Sequence, residues 1–223
     1  MNLNGRTVLI TGGTSVIGFE LARRLLARGN TVLVTGRDEA KLAQARASLP
    51  GLHAIQSDVS DPAAIDALHD QVLARFPALD MLVNNAGIMR NIKLRENRLL
   101  EDVSREIDVD LTGPIRMIQR FLPHLLSRPE AGIVNVSSGL AFVPFPPAPP
   151  GTDTPLYYGE FAQEVASTKP MPLDVLADKA VAALAAGKPE IRPGLSNVLK
   201  FMSRAAPTFM LNQLAKVTAP HSS

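Results

Sequence analysis

The sequence predicts an α/β fold in which a doubly wound parallel sheet is covered by helices on both faces. Helical patterns, with apolar residues near every 3.6 positions, alternate with strand-length apolar runs along most of the chain. The runs are rich in Val, Ile and Leu without polar alternation, as is typical of strands buried on both faces. They cover residues 7–11, 31–35, 53–57, 81–85 and 133–137. This alternation favours right-handed crossovers and the strand order 3-2-1-4-5.

Four helix candidates connect the predicted strands. Asp61 as N-cap and Pro62 at the first helical position predict where the third helix begins. The apolar markers of the four helices are Ile17, Leu21 and Leu25; Leu42, Ala45 and Leu49; Ile65, Leu68, Val72 and Phe76; and Ile107, Leu111, Ile115, Ile118, Leu122 and Leu125.

Composition limits the function classes. The 223 residues, 46% of them hydrophobic, suit a single domain over 1–223, and the net charge of +2 without a basic run argues against nucleic acid. The chain has no cysteine, which excludes disulfides and thiolate sites, and its four histidines show no metal-ligand spacing. We find no membrane-length apolar run and little room for a signal peptide before Thr7, so a cytoplasmic protein is expected.

A glycine-rich turn, Thr11-Gly12-Gly13-Thr14-Ser15-Val16-Ile17-Gly18, joins the first strand to the first helix. Such a turn lets the backbone approach a pyrophosphate, and the helix N-terminus offers N–H groups and the positive end of its dipole. A P-loop would need Lys-Ser/Thr after its last glycine, whereas Phe19 follows Gly18. The turn therefore indicates a dinucleotide site.

This turn resembles the Thr-Gly-x-x-x-Gly-x-Gly fingerprint of the short-chain dehydrogenase/reductase family. Three later segments match in order: Asp58-Val59, Asn84-Asn85-Ala86-Gly87 and Asn135-Val136-Ser137-Ser138. The resemblance covers Asn4 to about Pro146 and resumes near Pro149. It implies a Rossmann-type fold that transfers hydride between a nicotinamide cofactor and a small carbonyl or alcohol substrate. It also implies cofactor contacts at Gly12, Thr14, Ser15, Val16, Ile17, Gly18, Arg37, Asp58, Val59, Asn85, Ala86 and Gly87.

Two positions bear on which cofactor is expected and on how the turn accommodates it. Where NAD-binding members carry an acid this chain has Gly36, followed by Arg37, whose guanidinium suits the 2′-phosphate of NADP. NADP is therefore favoured over NAD, and Asp38 is better interpreted as the N-cap of the second helix. Val16 replaces the middle glycine of the fingerprint, and its β-branched side chain resists a left-handed backbone.

The family's catalytic Tyr and Lys have no counterpart. Ser138 matches the family Ser, but counting onward places the Tyr at Gly151 and the Lys at Pro155. Neither of the two tyrosines, Tyr157 and Tyr158, is followed four residues later by Lys. Asp110 stands where the family has Asn. The predicted catalytic set is therefore Ser138 and Asp110, with no metal.

The loss resembles one internal deletion within a Pro-rich connector at 144–155. It would truncate the sheet after the fifth strand and remove the helix that commonly forms the family's dimer face. A homo-oligomer nevertheless stays one of the alternatives. We predict that residues 190–194 pair beside the fifth strand, with the helix through Val175 and Leu184 as the crossover. Residues 195–223 are predicted to form a flap over the core or a dimer surface, with a membrane-surface helix as the less favoured alternative.

Three hypotheses for function stay open. The first is an NADP-dependent carbonyl/alcohol oxidoreductase that uses a substitute acid, with Tyr157, Tyr158 or Asp110 as the candidates. The second is a non-catalytic dinucleotide-binding or sensor protein. The third is a deleted copy without a function of its own.

Overall fold

The computed structural model describes residues 2–90, 100–138, 171–194, 196–206 and 208. The chain divides into two compact units, Met1–Val136 and Ser137–Ser223, which are described separately below. The single domain expected over residues 1–223 stays a prediction. The Pro-rich connector at 144–155 and both tyrosines lie outside the described residues.

A five-stranded parallel sheet forms the centre of the first unit. Its strand order is β3-β2-β1-β4-β5, which confirms the predicted order and the doubly wound, Rossmann-type fold class. Among the described strands, β5 lies at one edge of the sheet and pairs only with β4. The strands are β1 Thr7–Ile10, β2 Thr31–Gly36, β3 His53–Gln56, β4 Leu79–Asn84 and β5 Gly132–Asn135.

The helices begin where the sequence places their caps. The Asp61 carboxylate accepts a hydrogen bond from the N–H of Ala63 at 2.9 Å, with Pro62 as the first helical residue. The predicted long fourth helix is present from Leu100, but its middle turn, Ile107–Thr112, is π-helical. The helices of the first unit are α1 Val16–Leu26, α2 Glu39–Ser48, α3 Pro62–Arg75, α4 Leu100–Glu106 and α5 Gly113–Leu126.

The core follows the alternation of side chains along each strand. Leu9, Leu33 and Leu82 project to the face covered by α3 and α5, where they pack in one cluster with Phe121. The alternate strand residues Val8, Ile10, Val32, Val34, Met81 and Val83 point to the opposite face and are equally buried. Both faces of the sheet are therefore covered, which explains why its strands show no polar alternation.

The described part of the second unit contains two helices, α6 Leu173–Ala185 and α7 Ser196–Ala205. The helix predicted through Val175 and Leu184 is confirmed as α6. The strand predicted at residues 190–194 is wrong, because this segment is irregular in the structure. Pro193 supplies no N–H for a ladder, and Gly194 turns the chain with a φ of 63°.

Candidate functional site

The turn between β1 and α1 leads directly into the first helical residues. Ser15 is the N-cap of α1, in an extended conformation, and its side chain makes no capping hydrogen bond. Asp38, in contrast, caps α2 by accepting from the N–H of Lys41 at 3.2 Å, which confirms its interpretation as an N-cap. The first-turn N–H groups of α1 thus lack both helical partners and a side-chain cap, the arrangement that suits an anion.

Two glycines let this turn pack tightly against the chain that follows β4. Gly12 has a φ of 64°, and a Cβ there would lie 2.7 Å from the Cα of Ala86. A Cβ on Gly18 would lie 2.5 Å from the Asn85 amide nitrogen. Any larger residue at either position would collide with the partner segment.

A buried threonine ties the same two segments together. The Thr11 side chain, in a residue 1% exposed, accepts hydrogen bonds from the N–H groups of Asn85 and Ala86, each at 3.0 Å. The Asn85 side-chain amide donates to the carbonyl oxygens of Thr11 and Gly12 at 3.0 and 3.1 Å. Because β1 and β4 flank the point where the strand order reverses, these bonds hold together the crevice where α/β sheets bind their ligands.

Sequence reasoning missed this role of Thr11. The residue pattern places Thr11 only as the first residue of the turn and predicts Asn85 as a direct cofactor contact. The signal available was the pairing of the two motifs, since the carboxyl ends of β1 and β4 meet at one edge of a parallel sheet. The side-chain amide of Asn85 is engaged by the protein backbone, so any contact it makes with a cofactor stays a prediction.

Val16 occupies a left-handed backbone conformation. Its φ is 50°, and among the described residues it is the only non-glycine with a positive φ. The cost of that conformation for an L-residue is about 1–2 kcal/mol, and β-branching adds to it. Val16 therefore holds the backbone conformation that its β-branched side chain resists.

At the carboxyl end of β2, the backbone lies close to the glycine-rich turn, and the next residue is an arginine. A Cβ on Gly36 would lie 2.8 Å from the Thr14 methyl group, so the ends of β2 and the glycine-rich turn touch. The next residue, Arg37, is about half exposed, and its guanidinium lies 3.8 Å from the carboxylate of Asp58. That carboxylate also accepts from the N–H and hydroxyl of Ser60 at 2.9 and 2.7 Å.

Two carboxylates of the fourth helix hold the segment after Gly87. Asp110 accepts a hydrogen bond from the N–H of Ile88 at 2.8 Å, and Glu106 accepts from the N–H of Arg90. Partial burial raises the pKa of the Asp110 carboxyl above its usual value; the Ile88 hydrogen bond opposes this rise, and the charge of Glu106 adds to it. Sequence reasoning found Asp110 by its place in the family pattern but missed Glu106, whose partner is a backbone group.

The remaining site predictions lie in different parts of the chain. Val59 is buried against the start of α5, where its carbonyl oxygen would lie 2.9 Å from a Cβ on Gly113. Ser138 is exposed and belongs to the second unit.

Within the described ranges, no cluster of three or more His, Cys, Asp or Glu side chains is placed to hold a metal. None of the helices in those ranges is long and apolar enough to span a membrane.

Comparison with protein families identifies the scaffold. The model of the short chain dehydrogenase family matches residues 6–150, which is more than half of the chain. The chain belongs to the short chain dehydrogenase family. This finding confirms the resemblance carried by the four ordered motifs, and the family supplies the general chemistry, oxidoreduction with a nicotinamide dinucleotide.

Curated relatives of this short chain dehydrogenase match about two-thirds of its length. An uncharacterized oxidoreductase of Bacillus subtilis, DltE, is 46% identical over 146 residues, which are 65% of this chain and 58% of that protein. The short chain dehydrogenase/reductase dpmpG of Macrophomina phaseolina is 39% identical over 63% of this chain and 84% of its own length. The chain thus matches little more than half the length of the Bacillus relative.

Solved structures extend the likeness of the fold. A 3-ketoacyl-(acyl-carrier-protein) reductase of Brucella melitensis, complexed with NADH, covers 82% of this chain and 92% of its own at 27% identity, with a TM-score of 0.71. A short chain dehydrogenase of Burkholderia cenocepacia, in complex with NADP, covers 96% and 99% at 21% identity, with a TM-score of 0.78. At that lower identity the second likeness concerns the fold alone.

Proposed function

We propose that this short chain dehydrogenase binds NADP(H) at the β1–α1 turn and is impaired in the family's carbonyl/alcohol reaction. The observation that carries the binding proposal is the N-terminus of α1, which opens without a side-chain cap at the point where the strand order reverses. The NADH held by the 27%-identical Brucella reductase gives further support for binding of a nicotinamide dinucleotide.

The residues present fit a dinucleotide at most positions. The close approaches at Gly12 and Gly18 are preserved, and the Thr11 hydrogen bonds hold the crevice wall. The proposed phosphate contacts are the first-turn N–H groups of α1, and the proposed 2′-phosphate contact is Arg37. Asp58 and Val59 are proposed to lie by the adenine, and Ala86 and Gly87 along the cofactor's path. When bound, the nicotinamide supplies hydride transfer.

Selectivity for NADP is tested by replacing Arg37 with alanine. A guanidinium that binds the 2′-phosphate through charge-assisted hydrogen bonds contributes about 1.5–3 kcal/mol. Arg37→Ala should therefore weaken NADP binding by roughly 10- to 100-fold while leaving NAD binding within about threefold. Isothermal titration calorimetry with both cofactors measures this difference.

The control for that experiment is Arg46→Ala, which removes an exposed arginine of α2 that pairs with Glu39. It should leave both affinities unchanged. Equal affinity of the unmodified chain for NAD and NADP would contradict the proposed selectivity, whereas absence of binding to either would contradict the binding proposal itself.

Replacing Val16 with glycine should both stabilise the chain and tighten cofactor binding. Glycine adopts the φ of 50° without the cost of a Cβ, and the gain of about 1–2 kcal/mol is reduced by the greater chain entropy of glycine, about 0.5–1 kcal/mol. The loss of two methyl groups from the turn should strengthen cofactor binding by about tenfold. Urea unfolding and cofactor titration measure the two effects.

Val16→Ala is the matched control for the glycine variant. It removes the two methyl groups but keeps the Cβ, so it should improve cofactor binding while relieving only the part of the backbone strain that β-branching adds. If Val16→Gly is less stable than the unmodified chain, the left-handed conformation of Val16 is not the source of strain inferred above.

The proposed impairment follows from the sequence between Ser138 and Met171. No Tyr in the chain has a Lys four residues later, and the family scheme uses that Lys to lower the pKa of the Tyr phenol. Asp110, which replaces the family Asn, accepts a hydrogen bond from the backbone and as an ion has none to donate. A non-catalytic dinucleotide-binding protein is the second candidate, favoured by the same absence of a Tyr–Lys pair.

A further inference from the structure

The charge of the chain is unevenly distributed along the sequence. The whole chain has 23 basic and 21 acidic residues, yet the segment after Glu190 contains four basic residues, Arg192, Lys200, Arg204 and Lys216, and no acidic one. The same segment contains Phe201, Phe209 and several Leu and Met residues. Basic residues combined with aromatic and aliphatic ones, without acids, are typical of a segment that meets an anionic apolar surface.

Helix α7 displays this combination on its exposed side. Val198, Phe201 and Ala205 follow one another at helical spacing and share one face. The side chain of Phe201 is 68% exposed and that of Val198 is 52% exposed, whereas Leu199 is buried. The helix therefore buries Leu199 on one side and exposes an apolar stripe on another.

Cations border the exposed stripe. Arg192, Asn197, Lys200, Phe201, Arg204 and Ala205 line an open cleft of about 540 Å³. Glu190 lies at the cleft's border, with its carboxylate oxygens 2.6 and 2.9 Å from the Lys200 ammonium and one of them 3.5 Å from the Arg192 guanidinium. Among the residues that the structure describes here, one acid lies beside three cations, which makes this described surface positively charged.

We propose that α7 lies on the surface of membranes that contain anionic phospholipid. Val198 and Phe201 enter the boundary between headgroups and acyl chains, and Arg192, Lys200 and Arg204 meet the lipid phosphates. A free phosphate compound would satisfy the cations but leave Phe201 in water. A second copy of this chain, in a two-fold contact through this face, would set the same cations against each other.

Vesicle co-sedimentation tests the proposal with the full chain. Binding is expected to vesicles of phosphatidylcholine mixed with phosphatidylglycerol, and to fall as salt is added, with little binding to phosphatidylcholine alone. Phe201→Ser should weaken binding by about tenfold, since it removes an exposed aromatic that inserts. Leu126→Ser, which removes an equally exposed apolar side chain on α5, should leave binding unchanged.

A variant that binds vesicles more tightly cannot be explained by a failure to fold, so it tests the proposal independently of folding. Glu190→Gln removes the acid that pairs with Lys200 and Arg192 and should strengthen binding to the anionic vesicles by about fivefold, while Arg204→Gln should weaken it by a similar factor. Equal binding to both vesicle types, or binding unaffected by Phe201→Ser, would overturn the proposal. So would sedimentation velocity that shows a dimer broken by Phe201→Ser in a chain that binds no vesicles.

Discussion

Replacing Thr11 with valine is expected to lower the free energy of unfolding by about 2–4 kcal/mol. Valine matches threonine in shape, so the packing around this buried position is kept. The hydroxyl, however, accepts from the N–H groups of Asn85 and Ala86, and its loss leaves both without that partner. An unsatisfied buried donor costs about 1–3 kcal/mol. Urea unfolding followed by circular dichroism measures the change.

Thr11→Ser provides the matched control, because it keeps the hydroxyl and removes one methyl group. It should cost about 1 kcal/mol. A valine variant as stable as the unmodified chain would show that the two hydrogen bonds contribute nothing to stability. The result also bears on the site, since the same bonds hold the segment of Ala86 against Gly12.

The fold was predictable because its signals are local and repeated. Strand runs without polar alternation predicted a sheet buried on both faces, and caps such as Asp38 and Asp61 predicted where helices begin. These signals depend on the backbone geometry of a few neighbouring residues. The order of the strands follows from the right-handed crossover that connections between parallel strands almost always adopt.

In the candidate site, the residue pattern reveals an unusual substitution but not the hydrogen bonds that hold the site together. Val16 stands out in the sequence because it replaces a glycine of the fingerprint, and its backbone is left-handed in the structure. The hydrogen bonds of Thr11 and Glu106 join residues far apart in sequence to backbone N–H groups. Backbone groups exist at every position, so such pairs leave no trace in the residue pattern.

The strand predicted at residues 190–194 does not form, because local backbone chemistry outweighs completion of the sheet. A strand there would have given the fifth strand a partner, but Pro193 and Gly194 are poor strand residues. Gly194 adopts a φ of 63°, which turns the chain. Local conformational preference was the stronger guide.

Turnover of ordinary aldehydes, ketones or secondary alcohols is expected to be about 10²–10⁴-fold below that of a family member with its Tyr–Lys pair. That factor is the usual contribution of a positioned general acid or base. Without the pair no phenol of lowered pKa is supplied to protonate the carbonyl oxygen, and an isolated phenol has a pKa of about 10. A nicotinamide absorbance assay at saturating NADPH measures the rate, and titration calorimetry on the same sample establishes that cofactor is bound.

Three variants test whether another group replaces the missing acid: Tyr157→Phe, Tyr158→Phe and Asp110→Asn. Asp110 is the strongest of these candidates on physical grounds, because its carboxyl has a raised pKa and lies at the segment after Gly87. Its oxygen is nevertheless held by the Ile88 N–H at 2.8 Å, which favours the ionised form and opposes proton donation. We therefore expect all three variants to retain the same low rate as the unmodified chain. Robust turnover that one of them abolishes would show that the chain is an active enzyme and would identify its acid.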